Sequence, residues 1–381
     1  MRRTTALIAA TVTAAMTLIA IAFPSSAAAA GSSASADAGA GAPPCTSYSI
    51  PVSLAEGTAA NQTMAGWLCG YGSLRGKAVQ LLVPGFTYDH DYWNFQYQPD
   101  TYSYLRSATR AGYAVFMVDR LGTGDSSKPA ALALTIGTEA WTVHQVISGL
   151  RSGQFGTAFS RVVLVGHSLG GTVSQVEAST YHDEDAVIIS DWLNSPYWVG
   201  TAGIIAGTIE PAQLVPRLAD RPLGYLTTLA GLRGMFYNSS DTDPKVIAQD
   251  EATRQTGTPG EELTIVAPTL IPSVTQNIKV PVLLATGQYD FIFCGALTPC
   301  TNATMVRDRE APAFSPQACL SAYVLPNAGH DINLELNAPD WFAAANRWTG
   351  AALAAETPSA SSGGAFAGQA DCAEIAATFG V

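Results

Sequence analysis

The stretch RVVLVGHSLGGTVSQ, residues 161–175, constrains the chain more than any other. Largely apolar residues run into Gly166-His167-Ser168-Leu169-Gly170, the only G-x-S-x-G in the sequence, and a helix-compatible segment follows. A short apolar run bounded by a glycine turn reads as a buried strand. A turn sharp enough to present Ser168 forces a strained backbone on the serine. It also brings the neighbouring chain so close that a Cβ at either flanking position would collide. The helix beginning at Leu169 aims backbone N–H groups at any anion formed at Ser168. A serine held so awkwardly costs stability, which argues for chemistry at its hydroxyl rather than a structural role.

Around this turn the sequence alternates between two patterns. Short β-rich runs occupy 47–53, 63–72, 78–85, 113–120, 161–168, 186–192, 280–290 and 321–330, and helix-like stretches lie near 99–111, 137–152, 169–181 and 334–349. The later strands are continuously apolar, as expected of a parallel sheet covered by helices on both faces, so the class is α/β. Residues 196–278 are too many for a simple crossover, since an unstructured loop seldom exceeds ~12–15 residues in a compact domain. They include LADRPLGYLTTLAGLRGMFYN, rich in Leu, Tyr, Met and Phe, and predict a helical cap inserted between two strands. The core is then 45–195 with 279–350, followed by a tail, 351–381, that Cys372 could tether.

Composition narrows the setting. With 48% hydrophobic and 13% charged residues in 381, the chain can bury a large core. The net charge of -11 excludes nucleic acid and anionic lipid surfaces as favoured partners, and it falls to -13 if Arg2 and Arg3 are removed. Their removal is expected: a basic start, an apolar run from Ala6 to Phe23 and small residues up to Ala30 form a secretory signal peptide, residues 1–30. A Gly/Ala/Ser/Pro leader, 31–44, follows it, and no later segment offers the ~20 consecutive apolar residues of a membrane span. The mature chain is expected to be extracellular.

All six cysteines lie beyond the signal and fit an oxidising compartment. Six permit 15 pairings, of which Cys45–Cys69, Cys294–Cys300 and Cys319–Cys372 are preferred here without excluding the others. No C-x-x-C occurs and the five histidines are scattered, so no metal site and no cofactor are expected. Asn61, Asn238 and Asn302 begin N-x-S/T sequons, which matter only in a glycosylating host.

A serine hydroxyl is a weak nucleophile at neutral pH and needs a base, and the base needs an orienting group. His330 ends the apolar run SAYVLPNAGH, and Asp290 ends VPVLLATGQYD. Ser168, Asp290 and His330 all fall at strand C-terminal ends, the edge where sites of open parallel sheets assemble. Their chain order, Ser…Asp…His, is that of the α/β-hydrolases.

On these segments, VVLVGHSLGG, PVLLATGQYD and PNAGHDINLE, together with YAVFMVDRLGTGDSSKP, the sequence resembles an α/β-hydrolase-fold serine hydrolase over nearly all of residues 45–350. The resemblance implies a mostly parallel eight-stranded sheet with helices on both faces and an inserted helical cap. It implies Ser168 as nucleophile, His330 as base and Asp290 as its orienting acid. It further implies that the backbone N–H of Phe86 joins that of Leu169 in holding the oxyanion. Pro84 stands where the family commonly has histidine, a departure that spares the Phe86 donor.

Other residues stand near these in the pattern. Asp191, after the next strand, is the alternative acid, whereas Asp331 reads as a surface or helix-capping residue and His167 as a packed neighbour of the serine. Tyr88, His90, Tyr92 and Trp93 either line a pocket or form an aromatic cluster, and Met235, Phe236 and Tyr237 read as core. The expected function is a secreted serine hydrolase acting on a hydrophobic small-molecule ester, lactone or thioester. A peptidase, other serine-dependent chemistry on the same fold, or a non-catalytic ligand-binding member are the alternatives. Nothing in the sequence bears on oligomeric state.

Overall fold

The computed structural model describes residues 41–195, 207–265, 271, 273–355 and 370–379. The signal segment expected at 1–30 and the leader before Gly41 lie outside them. From Ala42 onward the described residues form one unit. Eight strands make its main sheet: β1 (Cys45–Val52), β2 (Gln62–Cys69), β3 (Val79–Val83), β4 (Ala114–Val118), β5 (Val162–His167) and β6 (Ala186–Ser190) come first in the chain. A separate two-stranded ribbon, β7 (Ile209–Pro211) and β8 (Leu226–Thr228), precedes the last two, β9 (Val282–Gly287) and β10 (Ser321–Leu325). The sheet order is β1-β2-β4-β3-β5-β6-β9-β10. Only the pairs β1–β2 and β2–β4 are antiparallel. This is the mostly parallel, eight-stranded α/β sheet that the sequence led one to expect.

Every residue of β3, β4, β5, β6 and β9 is buried, which is why those runs lack polar alternation. The pleat sends their side chains into two cores. On one face Leu81, Val83, Phe116 and Leu164 pack with Val143, Val146, Ile147 and Leu150 of helix Ile136–Ser152. On the other, Leu82, Val163 and Val165 share a core with Trp341, Ala345, Trp348 and Ala352 of helix Ala338–Ala355. The sheet is therefore sealed on both sides, and its C-terminal edge is left for ligands.

Between β6 and β9 the described residues carry the β7–β8 ribbon, helices Pro244–Thr253, Pro259–Thr264 and Ser273–Gln276, and single 3-10 turns at 212–214, 216–218 and 233–236. Within the segment expected to be a cap, the described stretch from Ile209 to Phe236 is ribbon and 3-10 turn rather than α-helix. Pro211, Pro216, Pro222 and Gly224 are spaced too closely for a helix to propagate. The expected helix at 99–111 is also divided, into Pro99–Tyr102 and Tyr104–Arg110, by Ser103, whose side chain caps the second piece by accepting from Arg106 N. Helix Ala338–Ala355 runs beyond the position where the tail was expected to begin, and residues Ala370–Phe379 form a further helix. The disulfides are Cys45–Cys69, Cys294–Cys300 and Cys319–Cys372. Among the described residues no helix is long and apolar enough to cross a membrane.

Candidate active site

The site grows from the C-terminal ends of β3, β5, β6, β9 and β10. Ser168 sits between β5 and helix Leu169–Thr180 with φ 50 and ψ -120, a region L-residues rarely adopt. Its N–H donates to Ser190 O at 2.8 Å, while its carbonyl accepts from Gly171 N at 2.8 Å to start the helix. The flanking glycines have the anticipated reason: a Cβ on Gly166 would collide with the carbonyl of Gly170, and one on Gly170 with the carbonyl of Val83.

Ser168 Oγ lies 2.9 Å from His330 Nε2, and His330 Nδ1 lies 2.9 Å from Asp290 Oδ2. A carboxylate can only accept, so Nδ1 carries the proton and Nε2 is free to accept from the serine O–H. Asp290 is fully buried; its other oxygen accepts from Ile292 N at 2.9 Å, and Thr286 Oγ1 lies 3.3 Å from Oδ2. Its carbonyl accepts from Cys294 N at 2.7 Å, so the Cys294–Cys300 bridge anchors the loop just beyond it. Burial by itself would lower the His330 pKa. The charge and hydrogen bond of Asp290 outweigh it and raise the value above the ordinary 6.5.

The backbone of His330 is held by the insertion: its N–H donates to Phe236 O at 2.6 Å, and Asp331 N donates to the same oxygen at 3.1 Å. Gly329 permits that approach, since a Cβ there would strike the backbone of Phe236 and Tyr237. The rings of Phe236 and Phe293 stand 5.7 and 6.1 Å from the imidazole, giving the site apolar walls.

Leu169 is the first residue of its helix, where a backbone N–H has no intrahelical partner. Phe86 follows Gly85, which packs so closely that a Cβ on it would lie 3.2 Å from Ser168 Cβ. The turn is clamped from behind by Arg120, with Nε donating to Pro84 O and Nη2 to Gly85 O, both at 2.9 Å. Glu261 of the insertion pairs with the same guanidinium, and Glu139 lies 3.7 Å away. Both carbonyls of the turn before Phe86 are thus drawn towards Arg120. The next residue, Thr87, holds φ 60, an outlier for a β-branched side chain. Arg233 Nη1 donates to its Oγ1 at 2.9 Å and Gln255 N to its carbonyl at 2.8 Å.

The remaining sequence candidates fall elsewhere. Trp93 has no exposed surface and packs edge-on against Tyr92 and Tyr104, which places it in the core rather than in a pocket. His90 stacks on Trp67 and lies 2.7 Å from Asp119, away from the serine. Tyr88 is buried, with its hydroxyl 2.5 Å from Asp331 Oδ2 and 3.2 Å from Asp250 Oδ2. Asp331 is therefore not a surface residue, and although it stands at the N-cap of the 3-10 turn 332–334, its side chain makes no cap bond. It is fully buried, with its other oxygen 3.2 Å from His167 Nε2. The reason is long-range: Arg233 pairs with Asp250 at 2.8 Å and lies over the Tyr88 ring at 4.1 Å, so the insertion closes over this acid. Asp191 accepts from Gly287 N at 3.2 Å and stands 3.4 Å from His167, on the opposite side of that imidazole from Asp331. One ligand atom from each of Asp191, Asp290 and His330 would fit around an ion, as would a set from Asp89, His90 and Asp119. Arg120, Arg233, Asp250 and Glu261 were not found by sequence reasoning. For Arg120 a signal existed, in the segment YAVFMVDRLGTGDSSKP.

The sequence pattern that defines the "Alpha/beta hydrolase family" matches residues 80–345. Among solved structures, a thermophilic esterase from Thermogutta terrifontis is 19% identical, with a TM-score of 0.52 over 80% of this chain and 98% of that one. A monoacylglycerol lipase from Paleococcus ferrophilus is 16% identical, with a TM-score of 0.50 over 76% and 98%. A bromoperoxidase from Bacillus anthracis is 17% identical, with a TM-score of 0.50 over 75% and 95%. No curated protein matches the sequence. Such low identities speak to fold alone, and the three names carry different chemistries, so the reaction has to be read from the site.

Proposed function

Because the chain belongs to the alpha/beta hydrolase family, we propose that it is a serine hydrolase that cleaves a carboxylic ester, lactone or thioester through an acyl-enzyme. The observation that carries the reading is the unbroken path from Ser168 Oγ through His330 to Asp290, two contacts of 2.9 Å each. In the reaction, Ser168 Oγ forms a bond to the carbonyl carbon as its proton passes to His330 Nε2. Asp290 keeps the proton on Nδ1 and stabilises the imidazolium. The carbonyl oxygen becomes an oxyanion that accepts from the N–H groups of Leu169 and Phe86. Collapse breaks the bond to the leaving alcohol or thiol, which takes the proton from Nε2. Water then gives a proton to His330, attacks the acyl carbon and releases a carboxylic acid, returning the proton to Ser168.

Phe236 and Phe293 beside the imidazole favour an apolar acyl or alcohol group over a charged one. The esterase and lipase among the structural neighbours agree with an ester substrate. Three disulfides agree with an extracellular protein whose residues 1–30 are a cleaved signal peptide. A fluorophosphonate probe tests the central step: it should label the wild type and not Ser168→Ala. Absence of labelling in the folded wild type would point to a ligand-binding member instead. Turnover of p-nitrophenyl esters of increasing chain length, set against peptide anilides, then separates esterase from peptidase.

A further inference from the structure

At the far end of the nucleophile's own helix, four ionisable side chains converge that the reaction does not use. His144 comes from helix Ile136–Ser152, Glu177 from the last turn of Leu169–Thr180, and Asp183 and Glu184 from the turn leading into β6. His144 Nδ1 stands 2.8 Å from Asp183 Oδ2 and 3.8 Å from Glu177 Oε1. One ligand atom from each of these three lies within 4.8 Å of the others. The Glu184 carboxyl stands against that of Glu177.

A gathering of acids alone would mean little, but Glu177 adds a separate observation. It has no exposed surface, it points into the cluster, and neither of its oxygens accepts from an N–H or hydroxyl donor, its close polar neighbours being the Asp183 and Glu184 carboxyls. Such a carboxyl is costly to ionise without a cation beside it, and it is held here by sharing a proton with the neighbouring acids. Arg151 does not relieve it, since its guanidinium is taken by the Asp183 carbonyl, the Ser160 carbonyl and Asp185 Oδ2. Among the described residues no lysine or arginine pairs with Glu177, Asp183 or Glu184. Burial and the neighbouring acids raise the Glu177 carboxyl well above its ordinary range, and burial is the main force pushing Glu184 to about 7. What the cluster lacks is positive charge.

We propose that His144, Glu177 and Asp183, with the Glu184 carboxyl beside them, form a binding site for a divalent transition-metal ion of the Zn2+ type, which pins helix Ile136–Ser152 to the turn before β6. The donor set decides the class: one imidazole with two carboxylates suits Zn2+ better than Ca2+, which prefers oxygen alone. Ligand atoms around a tetrahedral Zn2+ with bonds of ~2.0–2.1 Å stand about 3.3 Å apart, a spacing bracketed by the 2.8 and 3.8 Å seen here. Tyr181 stacks on the His144 ring at 4.0 Å and fixes its plane. The helix C-terminus nearby favours a cation. His144 and Asp183 are each 24% exposed, which leaves an entry path. Glu177 lies eight residues along the helix from Leu169, about 12 Å at 1.5 Å per residue, so the ion has no part in the reaction. The inference stands apart from the reading of Ser168.

The test is direct. Chelator-stripped wild type is titrated with ZnCl2 by calorimetry, dialysed for metal analysis, and melted with and without the ion. One equivalent of Zn2+ per chain is expected, with a melting temperature raised by several degrees. Both effects should fall at least tenfold or vanish in His144→Ala, while initial rates on a p-nitrophenyl ester below the melting range stay unchanged. Asp183→Asn is the second variant should His144→Ala fail to fold. The proposal is overturned if the folded wild type retains less than a tenth of an equivalent, or if binding persists undiminished in both variants. Tighter binding of Ca2+ than of Zn2+ overturns the assignment of the ion's class.

Discussion

Two imidazoles stand side by side at the sheet edge, with ring centroids 5.4 Å apart, and their surroundings drive them in opposite directions. Both are buried and both have carboxyl groups at hand: His330 has Asp290, and His167 has Asp331 at 3.2 Å and Asp191 at 3.4 Å. Burial lowers both. For His330 the Asp290 charge and hydrogen bond more than compensate, whereas for His167 burial wins and the charge of His330 adds to it, leaving a value far below 6.5. The acids beside His167 cannot reverse this because they are themselves raised, chiefly by burial. A neighbouring carboxyl raises a histidine only where its charge and hydrogen bond outweigh the burial of the ring, as beside His330 and not beside His167.

The largest effects should come from the side that can ionise. Ser168→Ala and His330→Gln are each expected to lower kcat by about 10^6, and the double variant by little more, because the two act as one unit. Steady-state kinetics on an activated ester, with labelling to exclude wild-type contamination, would check this. Asp290→Asn should cost about 10^4 in kcat, by reversing the tautomer that Nδ1 must keep. Asp191→Asn, next to the histidine that stays neutral, should cost far less. Equal losses in the two would mean that the acids share the role.

Next in size is the clamp behind the oxyanion turn. Arg120→Met releases the carbonyls of Pro84 and Gly85 and leaves Glu261 without its partner. Loss of one properly aimed donor predicts a 10^2–10^3-fold fall in kcat, or ~2.7–4 kcal/mol. Breaking a buried pair also predicts destabilisation of about 3–5 kcal/mol. Pairing the change with Glu261→Gln should recover part of the stability but not the kcat, a split that chemical denaturation and kinetics together would detect.

The contrast between the histidines also marks what the sequence could carry. The elbow glycines, the parallel strands and the order Ser168, Asp290, His330 are local patterns: an apolar run, its bounding turn, one reactive residue at its end. Asp331 could not be read this way. An acid beside a histidine in a loop looks exposed, and only Tyr88, 243 positions away, and Arg233 and Asp250 from the insertion bury it. The insertion resisted for the same reason. Its ribbon and short turns have no hydrophobic period, and contacts such as Thr227 Oγ1 to Gln255 O at 2.7 Å hold them instead.

The smallest expected effect tests the comparison most finely. Catalysis requires the neutral form of His330, whose pKa is raised above 6.5, so kcat/KM should climb with pH through that raised value and fall as pH drops below it. His167 is already neutral throughout this range, because its own value lies far below 6.5. Replacing it with Gln removes a ring that packs against Tyr92 at 4.0 Å, and some rate with it, but no charge. His167→Gln should therefore leave the acid limb of the profile where it was, while Asp290→Asn moves it to lower pH by removing the charge that raises His330. If His167→Gln shifts the limb as far as Asp290→Asn does, the two imidazoles titrate as a pair, and the division between a base and its silent neighbour fails.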